Sequence, residues 1–534
     1  LEQKNYLNDS YTQYKNKVGL TIDGKYLKQR NEVALVWPFK DCILEGGQSR
    51  EEDKREEIFF NEILAQDEIT QLLEPKVLTN AKRIDKDGEK PLDQFNRNEN
   101  GTITDNLIIK GNNLLVLHSL KSNFSNKIKL IYIDPPFNTG KDEFKYNDSF
   151  NHSTWLTFMK NRLQIAKTLL SKEGVICVHV GNEETSYIQV LLDEIFQREN
   201  YLNHITMSTN AASGFKATSA KIFSTANHIF LYAKDVNSCN LNKVYIQKEY
   251  DENYKYFLLN PNDHFSKWKY TTIIEQIANN EKFKDIKTLK NNFSEEELKI
   301  KIKEFAETNK ENVFRTAAVG GGALKKRKET VEKSKREKGL VMQHPNEDVE
   351  GFYILNGEQI VFWSNTYKEI DGKVVPATTI TDIWTDIGFT GIANEGGVTL
   401  KNGKKPELLL KRIIELTTNP KDLVLDYHVG SGTTCAVAHK LGRQYIGVEQ
   451  LDYGQNDSVI RLKNVISGDS TGVSKIVNWQ GGGSFVYLEL KKYNQTFIEQ
   501  IEEAKDTEAL LQIWEQMKAK SFLNYNVDIK KQDE

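Results

Sequence analysis

The residues best equipped for chemistry are Asp134-Pro135-Pro136-Phe137, at the end of the apolar run LIYID (130–134). Such runs form buried strands of α/β sheets, and ligands of those sheets bind beyond the carboxyl ends of the strands. Two consecutive prolines fix φ and withdraw backbone donors, leaving a stiff loop that presents carbonyls and one carboxylate. That loop suits the exocyclic amine of a nucleobase, whose lone pair is delocalised into the ring and whose two hydrogens need acceptors. Asp134 and the Pro135 carbonyl would take one hydrogen each, and Phe137 offers a face for the base to stack on. The plainer alternative is a proline-rich turn after an ordinary strand-end aspartate.

A second constellation is Asp426-Tyr427-His428-Val429-Gly430-Ser431-Gly432-Thr433-Thr434, which follows the strand-like LVLD and opens a helix. Its two glycines let backbone approach a ligand, and the helix start offers amide donors to a carboxylate or phosphate. Glu449 ends the next apolar run, 19 residues after Gly430, where an acid can accept both hydroxyls of a ribose. No Gly-Lys-Ser/Thr follows, so a phosphate-binding P-loop is excluded, and Cys435 stands at the third glycine position of the dinucleotide fingerprint. An adenosyl ligand lacking a pyrophosphate fits this turn better; the plain reading is a tight strand-to-helix connection.

Elements that could position these loops are legible nearby. LIIKGNN (107–113) reads as a strand and turn, LLVLHSL (114–120) as a helix, and VICVHV (175–180) and HIFLYAK (228–234) as strands. Between them run amphipathic helices, one carrying Trp155, Phe158, Met159, Leu163, Ala166, Leu169 and Leu170 along one face, the other Ile188, Leu191, Leu192, Ile195 and Phe196. Strands alternating with helices imply a mainly parallel sheet. The alternation lapses from about 236 to 385, an irregular stretch expected to be an inserted domain, and returns at LLLKRIIEL (408–416), VLDY (424–427) and YIGVE (445–449). One sheet assembled from two separated segments is therefore expected. Residues 1–100 read as helical and charged, EEIFFNEILAQDEITQLL (56–73) being their amphipathic stretch, and so do residues 471–534.

Composition limits the remaining classes. The 534 residues include 72 basic and 75 acidic side chains, a net charge of −3 that does not by itself advertise a nucleic-acid binder. Local charge differs: KKRKETVEKSKREK (325–338) carries a net +5, so Lys325, Lys326, Arg327 and Lys328 become candidate phosphate contacts, against the alternative of a solvated charged helix. No apolar run approaches the ~20 residues needed to span a bilayer, and no secretory signal is seen. Four dispersed cysteines and nine histidines without an HExxH pair suggest neither disulfide framework nor metal site, and a reducing cytoplasm is expected.

Taken together, Asp-Pro-Pro-aromatic followed by Asp-x-x-x-Gly-x-Gly resembles the amino-methyltransferases of DNA. The order, catalytic motif, then insertion, then cofactor motif, resembles their β group. VALVWPFKDCILEGGQ (33–48), LIIKGNNLLVLHSL (107–120), LIYIDPPFNTG (130–140), KPELLLKRIIELTTNPKDLVLDYHVGSGTT (405–434) and GGGSFVYLEL (481–490) are similar to the modification subunit of Type III restriction-modification systems. The resemblance implies a Rossmann-like α/β methyltransferase sheet, with parts at 101–235 and 386–470, a target-recognition insertion at 236–385, and helical regions at 1–100 and 471–534. It implies S-adenosylmethionine as cofactor, held by Lys405, Asp426, Gly430, Gly432, Thr433 and Glu449, with Asp134, Pro135, Pro136 and Phe137 at the target amine. Three residues depart from the commoner pattern: Phe137 stands where Tyr is usual, His428 where many relatives have Phe, and Asn112 where Asp is frequent. The resemblance also implies double-stranded DNA as substrate, a homodimer and a restriction subunit with helicase and nuclease activity as partners, with no membrane association. The expected reaction is methylation of adenine N6 in a bacterial cytoplasm. Alternatives are methylation of cytosine N4, an NAD-dependent oxidoreductase, or a catalytically silent DNA-recognition subunit. The native N-terminus and a helical C-terminal piece are expected to lie beyond Leu1 and Glu534.

Overall fold

The computed structural model describes residues 35–45, 58–139, 150–209, 224–399 and 403–490, with short pieces at 21–22, 25–26, 501, 504 and 506–520. Two compact units emerge: Leu1–Asn242 with Thr381–Glu534, and Lys243–Ile380.

The first unit holds an eleven-stranded sheet, numbered here in chain order: β1 (Leu78–Asp85), β2 (Gly88–Pro91), β3 (Leu107–Lys110), β4 (Ile128–Ile133), β5 (Leu170–Val180), β6 (Tyr201–Ser208), β7 (Ala226–Ala233), β8 (Ile383–Trp384), β9 (Leu423–Asp426), β10 (Gln444–Glu449) and β11 (Phe485–Leu490). Their spatial order is β8-β6-β7-β5-β4-β9-β10-β3-β11-β1-β2. The middle run from β5 to β11 is parallel throughout. Near-continuous burial explains the apolar runs: Leu130, Ile131, Tyr132 and Ile133 are at most 1% exposed, as a strand covered on both faces requires. β4 comes from the first segment and β9 from the second, yet they pair with Leu130 beside Val424 and Ile131 beside Leu425. The chain leaves β4 toward β5 and leaves β9 toward β10, in opposite directions across the sheet, so a crevice opens beyond their carboxyl ends.

Six helices of this unit bear on the site: α1 (Asn113–Phe124), α2 (His152–Leu169), α3 (Thr185–Phe196), α4 (Glu407–Thr417), α5 (Thr433–Lys440) and α6 (Ser458–Ile466). The Asn112 side chain caps α1 by accepting from the Leu114 and Leu115 amides, and Asn151 caps α2 through the Thr154 amide. The stripe from Trp155 to Leu169 on α2 is buried in the main core, as its spacing predicts.

Three expectations need correcting. Among the described residues before 100, strands outnumber helices: Cys42–Glu45 pairs with Ile58–Asn61, β1 pairs with β2, and only Gln66–Leu73 is α-helical. The helical reading of 56–73 fails at Asn61, whose side chain accepts from the Ile63 and Leu64 amides and starts a turn. Residues 471–534 are not simply helical either. Phe485–Leu490, rich in aromatic and branched side chains, is a sheet strand between β3 and β1. Finally, Lys243–Ile380 is regular where the sequence looked irregular. It contains a six-stranded antiparallel sheet, a three-stranded sheet and the helices Ile273–Asn280, Ile286–Asn292, Glu295–Thr308 and Gly321–Arg336. Two of these helices open with capping boxes, Thr272 with Glu275 and Ser294 with Glu297.

Candidate active site

Asp134 follows β4 directly. Its Oδ2 accepts a 2.5 Å hydrogen bond from Lys405 Nζ, while Oδ1 is buried and has no hydrogen-bond partner among the described residues. Burial raises the Asp134 pKa and the Lys405 ammonium opposes that rise. The proline loop is pinned from below, because the buried Trp155 indole donates to the Pro136 carbonyl at 2.9 Å. Lys405 Nζ also lies 4.9 Å from the centroid of the Phe137 ring, and the His179 ring is 5.6 Å from it on the other element. His179, on β5, is wholly buried, shares a 2.8 Å hydrogen bond with the Tyr132 hydroxyl, and sits 4.0 Å from Asp134 Oδ1. Burial and the Lys405 charge push its pKa well below the ordinary histidine value, so it is neutral.

The glycine turn after β9 is built around two acids. Asp426 accepts from the His428 amide at 2.9 Å and the Thr434 hydroxyl at 2.6 Å. Burial, with the charges of Asp134 and Glu449 nearby, pushes its pKa up to about 7 against those bonds. Glu449, at the end of β10, accepts from the Gly430 amide at 2.8 Å and the Leu451 amide at 2.9 Å. Gly430 has φ +55°, and a Cβ there would meet nothing within 4 Å, so open space lies on that side of its backbone.

The two neighbouring candidates are engaged by α6. A Cβ on Gly432, at φ +84°, would lie 2.9 Å from Ser458 Cβ, so this glycine makes room for the start of α6. The Thr433 hydroxyl accepts from Arg461 at 2.7 Å and is thereby committed to α6. Lys405, expected at the cofactor, lies on the Asp134 carboxylate.

Glu449 borders a cavity of about 300 Å³ that is also lined by Ile109, Lys110, Leu451 and Asp452 among others, so of the expected cofactor residues it is the one whose carboxylate faces a space where a ribose could be accepted.

The sequence reading missed several supports. Glu407, completely buried on α4, binds both Lys440 of α5 and Arg461 of α6, at 2.8 and 2.7 Å, and accepts from the Val473 amide. Lys440 adds Asp469 at 2.8 Å. This buried network ties three helices around the glycine turn, and its loss would strand uncompensated charge. Charged side chains inside amphipathic helices were its only sequence signal.

The basic stretch lies in the second unit on the helix Gly321–Arg336. Lys325, Lys326 and Lys328 are exposed, with Lys326 paired to Asp348. Arg327 is corrected: it is 3% exposed, ion-paired to Glu347 and stacked 3.9 Å over Phe352, so it holds the unit together and is closed to phosphates.

The strands that end in the Asp-Pro-Pro-Phe loop and in the acidic glycine turn both lie within residues 128–455, which match a DNA methylase family model; a model for the Type III restriction/modification enzyme methylation subunit matches residues 1–20. The chain is 38% identical, over 99% of its length and 80% of the relative's, to the "probable type III restriction-modification enzyme HindVI Mod subunit" of Haemophilus influenzae. It is 27% identical, over 70% of its length and 61% of the relative's, to the Type III restriction-modification enzyme EcoPI Mod subunit of Escherichia phage P1. The chain belongs to the modification subunits of Type III restriction-modification systems. It is a DNA methyltransferase whose methyl donor is S-adenosylmethionine.

Proposed function

We propose that the chain methylates the exocyclic N6 amine of adenine, with Asp134 and Phe137 as catalytic residues. The observation that carries this reading is the pair of unlike oxygens on Asp134. Lys405 occupies Oδ2 and fixes the carboxylate, whereas Oδ1 is buried without a donor among the described residues, a costly condition that an arriving amine relieves. The target base must leave the duplex to reach this loop. Phe137 stacks on it, Oδ1 accepts one amine hydrogen and the Pro135 carbonyl the other, which returns electron density to the nitrogen. S-adenosylmethionine supplies an electrophilic methyl group. As the nitrogen gains a methyl it gives up a proton, and Oδ1 is the acceptor left for it. Catalysis is then mainly positioning in a fitted polar site. Glu449 and the Gly430 backbone hold the cofactor's ribose end, with Asp426 fixing the turn.

An aspartate at 134, where a serine would favour cytosine N4, supports adenine. Lys243–Ile380 reads the target sequence, with Lys325, Lys326 and Lys328 on phosphates. The chain acts on double-stranded DNA as a homodimer in a bacterial cytoplasm and recruits a restriction subunit that carries the helicase and nuclease activities. Digesting methylated DNA to nucleosides tests the base assignment: N6-methyldeoxyadenosine is expected, and N4-methyldeoxycytidine refutes it.

A further inference from the structure

A second buried carboxylate stands beside the Asp-Pro-Pro-Phe loop, and the reaction above leaves it without a role. Glu184 closes the turn Gly181-Asn182-Glu183-Glu184 between β5 and α3 and is 0% exposed. Its Oε1 accepts from Asn138 Nδ2 at 2.6 Å and shares a 2.7 Å hydrogen bond with His152 Nδ1. Asn138 directly follows Phe137 and has φ +59°, a left-handed conformation that persists where surrounding contacts hold it.

The same turn shapes the space under the aromatic ring. A Cβ on Gly181 would lie 3.0 Å from Phe137 Cδ2 and 2.6 Å from Glu183 Oε2, so the ring rests against bare backbone. A latch on the residue after Phe137 and a cleared seat beneath its ring are independent features, and both govern where that ring points.

We propose that Glu184 is a positioning residue for methyl transfer: by holding Asn138 it fixes the direction in which Phe137 presents its face, and Gly181 leaves the ring its room. This rests on the reading that Phe137 stacks the target base. Glu184 acts through Asn138 and does not touch the base. A purely stabilising carboxylate would change the melting temperature and leave the turnover of folded enzyme alone, whereas a positioning carboxylate changes turnover at saturating substrates.

The full chain is compared as Glu184→Ala, Glu184→Gln, Asn138→Ala, the Glu184→Ala/Asn138→Ala double variant and Phe137→Ala. For each, kcat and KM for DNA are measured together with calorimetric affinity for S-adenosylhomocysteine. Glu184→Ala and Asn138→Ala are each expected to lower kcat about tenfold, with S-adenosylhomocysteine affinity within about twofold of the parent, as loss of one or two net hydrogen bonds predicts. The double variant should be no worse than the more damaging single one, because both break one latch and only Glu184→Ala also releases His152. Glu184→Gln keeps an oxygen for Asn138 and should retain most of the activity. A kcat for Glu184→Ala at the parent level, or losses that multiply in the double variant, overturns the proposal. Should Glu184→Ala fail to fold, Asn138→Ala decides: a tenfold loss supports the latch and a parental kcat overturns it. Phe137→Ala separates the two layers. If it is impaired while Glu184→Ala and Asn138→Ala are not, only the latch is refuted; if it is fully active, the stacking reading falls and the latch with it.

Discussion

Two aromatic and acidic positions make contrasting demands on their replacements. Phe137 is assigned a stacking role, so Phe137→Tyr should keep most methyl transfer and Phe137→Ala should lose roughly tenfold to a hundredfold, the ~1–3 kcal/mol of a base–aromatic contact. Steady-state methylation assays check this, and a tyrosine as damaging as alanine would remove stacking as the explanation. Asp426 makes a different kind of prediction. Its folded pKa is pushed up to about 7 from 3.8, chiefly by burial and then by Asp134 and Glu449. A raised carboxylate favours folding fully below pH ~4, and that contribution is lost as pH rises toward 7. The melting temperature of Asp426→Asn, measured relative to the parent, should therefore climb between pH 4 and pH 8. A difference independent of pH would mean that Asp426 ionises normally.

At the scale of elements, the glycine turn and the helices around it separate a packing role from a binding role. Gly432 lies against Ser458 at the start of α6, so Gly432→Val should lower the melting temperature through overpacking of about 1–3 kcal/mol and through strain at φ +84°. Gly430→Ala finds open space but positive φ, and it should weaken cofactor with a smaller loss of stability. Calorimetry and thermal melts on both variants check the division, and equal melting temperatures would erase it. The same scale shows what the sequence could and could not reveal. β4, β5, β9 and β10 were legible because burial on both faces demands unbroken apolar runs, and α2 because its stripe faces one core. Tyr201–Ser208 was not, since Asn203 and His204 interrupt its pattern, nor was Phe485–Leu490, whose place depends on partners about 380 and 400 residues earlier. The short strands of Lys243–Ile380, mostly two to six residues, carry too little periodicity to identify. At the site, Asp134 and Gly430 could be picked out by residue type and spacing. The Lys405–Asp134 pair and the Glu407 network could not, because each joins residues distant in the chain.

For the whole molecule, the proposed function divides the work between two units, with methyl transfer on the eleven-stranded sheet and DNA reading on Lys243–Ile380. The exposed Lys325 and Lys328 test that assignment, and Arg327 serves as its control. Lys325→Gln/Lys328→Gln should weaken binding to all sequences and flatten the log–log salt slope by ~0.9 per lost contact, leaving base preference intact. Arg327→Gln should instead destabilise the unit, because it leaves Glu347 buried and unpaired. An unchanged salt slope in the double lysine variant would return the stretch to a solvated surface. Asp134 joins the two segments of the sheet through Lys405, and its role is checked by transfer of labelled methyl groups from S-adenosylmethionine to unmodified DNA by Asp134→Ala, with cofactor affinity measured on the same preparation. No transfer with cofactor binding largely intact is expected; methylation near the parental rate refutes the proposed role of this carboxylate.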